Sequence, residues 1–415
     1  MGSSHRWRIL MLLQNNPYPQ DTRVRHEAQT LSAAGYQVTV IAPSGRGQPL
    51  YENVDGVHTY RYPPPPSAGS IVGYLGEYAY SMTMSFLISL YVALRHGFDA
   101  IHAHNPPDTF VFIALFYKLF GKRYIYDQHD LCPELYATRF SDGDVSRSFL
   151  YRTLLWVERL NLRFADHTIA TNQSYKRVQM ERGNIPEERI SIVRNGPDLR
   201  RMRRTAPPPE LQARYQGLTV FGYLGIIGRQ DGVDYLLRAL SHLVNDLKRS
   251  DFVCLIIGKG DALPELKALA TTLGLNSHVQ FTGWVSDDDL VPYLSLADIF
   301  VDPDPSNPLN DKSTMTKMMD YMAMGRPIVA FDLPEQRYSA QEAALYVTPN
   351  DERQFAVALQ TLMDDPERRR RMGEIGRRRV EQELAWQHSA VNLLHAYSTL
   401  LPLAEGQATH NKLPG

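Results

Sequence analysis

Cysteine is nearly absent from this chain. Cys132 and Cys254 are the only two and lie far apart in sequence, which excludes a disulfide framework and a cysteine-built zinc cluster and leaves two reduced thiols. An excess of charge of one sign is also missing: 44 Lys and Arg stand against 45 Asp and Glu, for a formal net charge of −1. No overall field steers the molecule to nucleic acid, and nucleic acid is not an expected partner. Long apolar runs are lacking too. ILMLL near the N-terminus is too short for a secretion signal or a membrane span and fits a first buried strand. The run IVGYLGEYAYSMTMSFLISLYVAL, residues 71–94, is interrupted by Glu77 and several Ser and Thr. It reads as a buried or membrane-facing helix rather than a spanning one. There is no long repeat, and no low-complexity tract beyond PPPP at 63–66. The opening MGSSH admits reading as an expression remnant.

What remains is the composition of an ordinary globular protein, 43% hydrophobic and 21% charged over 415 residues. That length exceeds one ordinary core and suits two domains. Short apolar runs alternate with helical patterns throughout. RILMLL, QVTVIAP, VHTYRYP, AIHAH, RYIYDQH, HTIATN and ISIVRNG are strand candidates in the first half. LTVFGYLG, FVCLIIGKG, VQFTGW, IFVDPDP, PIVAFD and ALYVT are candidates in the second. Helices such as RVRHEAQTLSAAG and DYLLRALSHLVNDLK fall between them. The expected fold is α/β: two Rossmann-like, doubly wound parallel-sheet domains facing a cleft. The boundaries read as 1–196, a basic Pro-rich linker 197–210, a second domain 211–375, and C-terminal helices 376–415 that pack back on the first domain.

In such folds ligands bind outside the carboxyl ends of strands, so the loops after strands matter most. The segment SNPLNDKSTMTKMMDYMAMGRPIVAFDLPE, 306–335, reads as a loop, a helix, a Gly break and a buried strand. Met315, Met318, Met319 and Met322 form an apolar stripe, with Ser313, Lys317 and Asp320 opposite; Asn310 and Asp311 can cap the start. Hydroxyls, a lysine and a carboxylate at an exposed helix start suit a phosphorylated ribose. The turn FGYLGIIGRQDG offers Gly225 and Arg229 to a diphosphate, although tight strand-to-helix turns need glycine in any case. LIIGKGD repeats the pattern with Gly258, and Trp284 and Val285 lie in a loop whose backbone can read a base edge. Asp287–Asp289 reads as an acidic helix start, and Asp302 and Asp304, each followed by Pro, as a turn rather than a metal site.

In the first domain, NNPYPQDTRVRHEA admits two readings. It is a polar loop from which Asn15, Asn16 and Arg23 reach a ligand, or a surface turn capped by Asp21. His129 and Asp130 follow a buried strand directly and are the catalytic candidates. His102 and His104 share one strand face, but no third metal ligand is evident, and no metal is expected.

The order of NPYPQDTRVRHEA, AIHAHNPPD, YDQHD, IVRNGPD, YLGIIGRQDG, FTGWVSDDDL and KMMDYMAMGRPIVAFD resembles the retaining glycosyltransferases of family 4, over essentially the whole chain. The resemblance implies the GT-B fold and metal-independent transfer of a sugar from a nucleoside diphosphate donor, with no cofactor. The hydroxyl acceptor is a carbohydrate or lipid-linked molecule in polysaccharide or glycolipid assembly. A cytoplasmic protein, with peripheral contact at the inner membrane face, is the corresponding location. Asn15, Gly225, Arg229, Gly258, Trp284, Val285, Lys312, Ser313, Thr314, Lys317 and Asp320 then fall on the donor side, and Arg23 and His104 on the acceptor side. The chain also departs from the family: Asp320 and Lys312 stand where two glutamates eight positions apart are usual. Ile226 and Asp231 stand where an Arg and a Lys are usual, so Lys312, Lys317 or Arg229 is expected to supply phosphate charge. The alternatives are a sugar-nucleotide epimerase, which needs no acceptor, and a non-catalytic sugar-nucleotide-binding protein.

Overall fold

The computed structural model describes residues 6–64, 71–140, 145 and 147–403. The MGSSH stretch, part of the Pro tract and the tail beyond residue 403 lie outside them. The chain divides into two compact units, the first holding residues 1–137, 141–195 and 387–415 and the second 138–140 and 196–386.

The first unit is built on β1 (Arg8–Leu12), β2 (Gln37–Pro43), β3 (Tyr51–Val54), β4 (Val57–Tyr62), β5 (Ala100–His104), β6 (Arg123–Gln128), β7 (His167–Ala170) and β8 (Ile190–Ile192). They form one sheet in the order β3-β4-β2-β1-β5-β6-β7-β8. All neighbours are parallel except β3, which pairs antiparallel with β4. Sequence reasoning misses β3, because YENV is exposed at the sheet edge and carries no buried run. β1 and β5 are buried almost throughout, as strands covered on both faces must be.

The second sheet holds β9 (Thr219–Leu224), β10 (Phe252–Ile257), β11 (Val279–Gly283), β12 (Ile299–Asp302), β13 (Ile328–Phe331) and β14 (Ala344–Val347). Its order is β11-β10-β9-β12-β13-β14, all parallel. The helix Val233–Asn245 covers one face through Leu236, Leu237, Leu240 and Leu243. Full burial of each such side chain stabilises by about 1.5–3 kcal/mol over leaving it exposed. Met318, Met319 and Met322 cover the opposite face from the helix Thr316–Ala323.

Three boundaries differ from expectation. Residues 197–210 are not a free linker: Met202 packs into the core of the second unit and a short helix starts at Pro209. The chain rejoins the first unit at 387 rather than 376, because Gly376 is wedged against Ala343 and Met322 of the second. The diagnostic helix starts at Thr316, with Met315 as its cap; Asn310 and Asp311 do not cap it. Asn310 is instead committed to the carbonyls of Gln230 and Pro305.

The run 71–94 forms the helix Ile71–Arg95. Ser81, Ser85 and Ser89 are buried along it, while Leu87, Tyr91 and Leu94 are exposed. None of the described helices is long and apolar enough to cross a membrane.

Candidate functional site

In the second unit the strand order reverses between β9 and β12, and the loops following these two strands, 225–232 and 303–315, meet at that switch point. Asn310 Nδ2 donates to the Gln230 carbonyl at 2.9 Å, tying one loop to the other. Gly232 has φ +65°, and a Cβ there would lie 2.0 Å from the Pro303 carbonyl oxygen, so only glycine lets the loops approach so closely. Gly258, at φ +141°, is pressed in the same way against the carbonyl of Gly225. These glycines therefore serve backbone packing at the switch point.

The helix Thr316–Ala323 is fixed to the end of β9 by Tyr321. Its hydroxyl accepts from the Leu224 amide at 2.8 Å, and its ring stacks on Phe300 with centroids 4.1 Å apart. Met315, in extended conformation, caps the helix without a side-chain hydrogen bond. The first-turn amides are therefore not satisfied by the side chain of the capping residue. Thr314 Oγ1 donates to buried Glu335 at 3.3 Å, and Ser313 Oγ to the Leu309 carbonyl at 2.9 Å. Lys312 Nζ donates to the Pro308 carbonyl at 2.8 Å. Burial raises Asp320 to about 7, against a smaller lowering by Arg201.

Lys317 corrects the sequence expectation of a spare phosphate cation. It is buried, with Nζ 3.3 Å from Asp302, in contact with Asp304 and 4.9 Å from the centre of the Tyr223 ring. Asp302 and Asp304 are thus the counter-ions of a lysine. Arg229 is largely exposed and pairs with Glu265 at 3.2 Å. Trp284 is exposed after β11, whereas Val285 packs on the core. A separate cavity of about 640 Å³, lined by Tyr215, Lys267, Asn276 and Gln280 among others, contains none of the expected donor residues.

In the first unit, register builds a polar centre inside the fold. β5 alternation puts His102 and His104 on one face, and pairing of β5 with β6 sets His104 beside Asp127. The helix Thr22–Ala33, capped by Asp21 accepting from the Val24 amide, brings Arg23 and Glu27 over the same face at i, i+4. Arg23 binds Asp127 through two parallel bonds of 2.7 Å and donates to the Val193 carbonyl and to Asn195. His104 Nδ1 lies 3.0 Å from Asp127 Oδ2. His102 Nδ1 lies 2.8 Å from the hydroxyl of Tyr397, which comes from the C-terminal helix Trp386–Leu400.

Arg23 and His104 are therefore buried internal groups and not surface contacts for a ligand. The reason is topological: helix and strand turn them inward onto Asp127. Asn15 stays exposed, and Asn16 donates to the capping Asp21 at 3.2 Å.

His129 is at the edge of this centre, partly exposed, with Nδ1 3.6 Å from Asp127 Oδ2. Burial alone would lower its pKa, but the nearby Asp127 carboxylate outweighs that and holds it above the ordinary histidine value. Its loop is clamped by Asn105, which sequence reasoning did not single out. Asn105 Oδ1 accepts from the amides of His129 and Asp130 at 2.7 and 3.0 Å, and its Nδ2 donates to the Asp130 carbonyl at 2.7 Å. A polar residue directly after β5 and before Pro-Pro was the available signal.

Two α/β units, one with tied loops and a helix start at its switch point, have the architecture of nucleotide-binding α/β proteins. A family model described as "Glycosyl transferase 4-like domain" matches residues 20–196, and one described as "Glycosyl transferases group 1" matches 218–365. The chain belongs to this family of GT-B glycosyltransferases. It is 27% identical over 331 residues to an alpha-D-kanosaminyltransferase of Streptomyces kanamyceticus, covering 77% of this chain and 82% of that protein. Among solved structures, sucrose-phosphate synthase of Thermosynechococcus elongatus superposes with a TM-score of 0.76 at 20% identity, covering 95% of this chain and 99% of the other. HepE of Anabaena, solved with UDP and glucose, gives 0.73 at 17% identity, with 95% and 100% covered. The protein is a sugar-nucleotide-dependent glycosyltransferase.

Proposed function

We propose that the second unit seats a nucleoside diphosphate sugar at the joined ends of β9 and β12, with the diphosphate on the helix start at Thr316 and the ribose on Asp320. The observation that carries this reading is the helix whose capping residue Met315 contributes no side-chain bond, at the point where the strand order reverses. Transfer retains anomeric configuration. The leaving phosphate takes the proton of the acceptor hydroxyl, so no separate protein base is needed. Negative charge grows on that phosphate in an oxocarbenium-like transition state, where each aligned donor is worth roughly 3 kcal/mol. With Lys317 engaged by Asp302 and Asp304, the charge is met chiefly by backbone amides.

His129, beside Asp127 and on the loop clamped by Asn105, is the catalytic group of the first unit, with Asp130 next to it. The acceptor is lipid-linked, and the first unit touches the membrane surface through an apolar helical face. Helix Ile71–Arg95 packs on helix Val111–Lys118 through Phe86 and Phe116, and that helix on Phe149–Phe164 through Phe112 and Trp156. Leu94, Leu119, Phe120 and Phe149 are exposed on these helices and their ends.

A thermal-shift screen of UDP-, GDP- and ADP-sugars identifies the donor, because a ligand of the native state raises the unfolding midpoint. UDP is the first to test, being the nucleotide bound in the Anabaena structure. His129→Ala is expected to keep that shift and lose most transfer of labelled sugar; a fully active variant rejects the role of His129. Release of an altered sugar nucleotide without an acceptor would replace the transferase reading by epimerisation.

A further inference from the structure

We propose that the first unit binds one divalent transition-metal ion, zinc by preference, between Glu27, His102, His104 and Asp127. Sequence reasoning set the His102–His104 pair aside for want of a third ligand, and folding supplies two. All four residues are fully buried, and one ligand atom from each falls within 4.8 Å of all the others. His102 Nε2 lies 3.6 Å from Glu27 Oε2 and 3.9 Å from Asp127 Oδ2. His104 Nδ1 lies 3.9 Å and 3.0 Å from the same two oxygens. Four ligands about 2.1 Å from a tetrahedral zinc ion stand about 3.4 Å apart, so the observed edges scatter around that value.

A second observation points to an ion and away from a closed hydrogen-bond network. Both carboxylate oxygens of Glu27 and Nε2 of His102 accept or donate no hydrogen bond, although each is buried. A buried polar atom left in that state is costly. Glu27 touches Arg23 at 3.2 Å, but that contact does not satisfy the oxygen facing the two imidazoles.

The surrounding groups suit a metal as well. Tyr397 faces His102 Nδ1 at 2.8 Å and can accept its N–H, the tautomer in which Nε2 is free to be a ligand. Arg23 grips Asp127 through two bonds of 2.7 Å and orients its carboxylate. The ion would join helix Thr22–Ala33 to β5 and β6, directly beneath the Asp127–His129 contact. Its role is to hold the strand end that presents His129. It is distinct from a metal on the donor diphosphate, which this family does without.

The test is metal analysis of the tag-free protein by mass spectrometry, paired with cobalt substitution. About one zinc per chain is expected, replaced by cobalt with the visible absorption bands of a tetrahedral ion. Glu27→Gln and His102→Gln are each expected to lose the ion and those bands, with circular dichroism reporting whether the fold is kept. If the variants fail to fold, the cobalt spectrum and zinc stoichiometry of the unaltered chain still decide. Protein that carries far less than one metal and gains neither tetrahedral bands nor thermal stability from added zinc or cobalt overturns the site. So does a folded Glu27→Gln, His102→Gln double variant that retains the metal.

Discussion

Replacing Lys317 by methionine separates two roles that a lysine near a phosphate site can have. Its ammonium lies between Asp302 and Asp304, whose buried carboxylates it contacts through Asp302 Oδ1 and Asp304 Oδ2. Burial raises Asp304 well above the ordinary carboxylate value and Lys317 opposes this, so removing the lysine leaves the pair to be desolvated without compensation. Breaking a buried ion pair from one side costs about 3–5 kcal/mol. For a unit the size of Gly196–Trp386, each kcal/mol shifts the midpoint by roughly 2–4 °C, so the expected fall is about 10 °C. Without the lysine the folded-state pKa of Asp304 rises further above the unfolded value. The folded variant then holds protons that the unfolded chain releases, and its deficit grows as pH rises. Differential scanning calorimetry of ligand-free protein measures the effect. Adding Asp302→Asn and Asp304→Asn should recover most of the loss, because the two charges are then gone. A single variant with an unchanged ligand-free midpoint and a lost donor response would refute the reasoning and return Lys317 to the phosphate.

Two further predictions concern the ligands. Ribose hydroxyls donate best to an ionised Asp320, and burial raises that carboxyl to about 7, so donor binding releases a proton. The affinity by calorimetry should be about tenfold weaker at pH 6 than at pH 8, and Asp320→Asn should remove that dependence; a flat profile in the unaltered protein rejects the ribose contact. On the first unit, Leu119→Glu with Phe120→Glu should lower co-sedimentation with anionic vesicles more than tenfold, since each lost apolar anchor is worth about 1.5–3 kcal/mol. Equal partitioning of variant and parent excludes this face as the membrane contact.

The chain's local patterns determined much of this protein. Alternating apolar runs and helical periods gave thirteen of the fourteen strands among the described residues within a few positions, because a strand buried on both faces must be apolar almost throughout. Only the exposed β3 left no such mark. The loops after strands were equally legible, since polar residues, Gly and Pro between buried runs have few other uses.

Charge partners were not legible, because they depend on which helix covers which strand. Lys317 and Asp320 share a helix and one face of it in sequence, yet tertiary packing commits only the lysine to Asp302 and Asp304. Arg23 and His104 looked like ligand contacts until strand register and helix placement turned them onto Asp127. Glu27 lies 75 residues from His102, and only closure of the sheet with its covering helix brings the two carboxylates and two imidazoles together. Burial and alternation are properties of neighbouring residues, so sequence determines them. The pairing of buried charges is a property of distant ones, and the folded chain alone decides it.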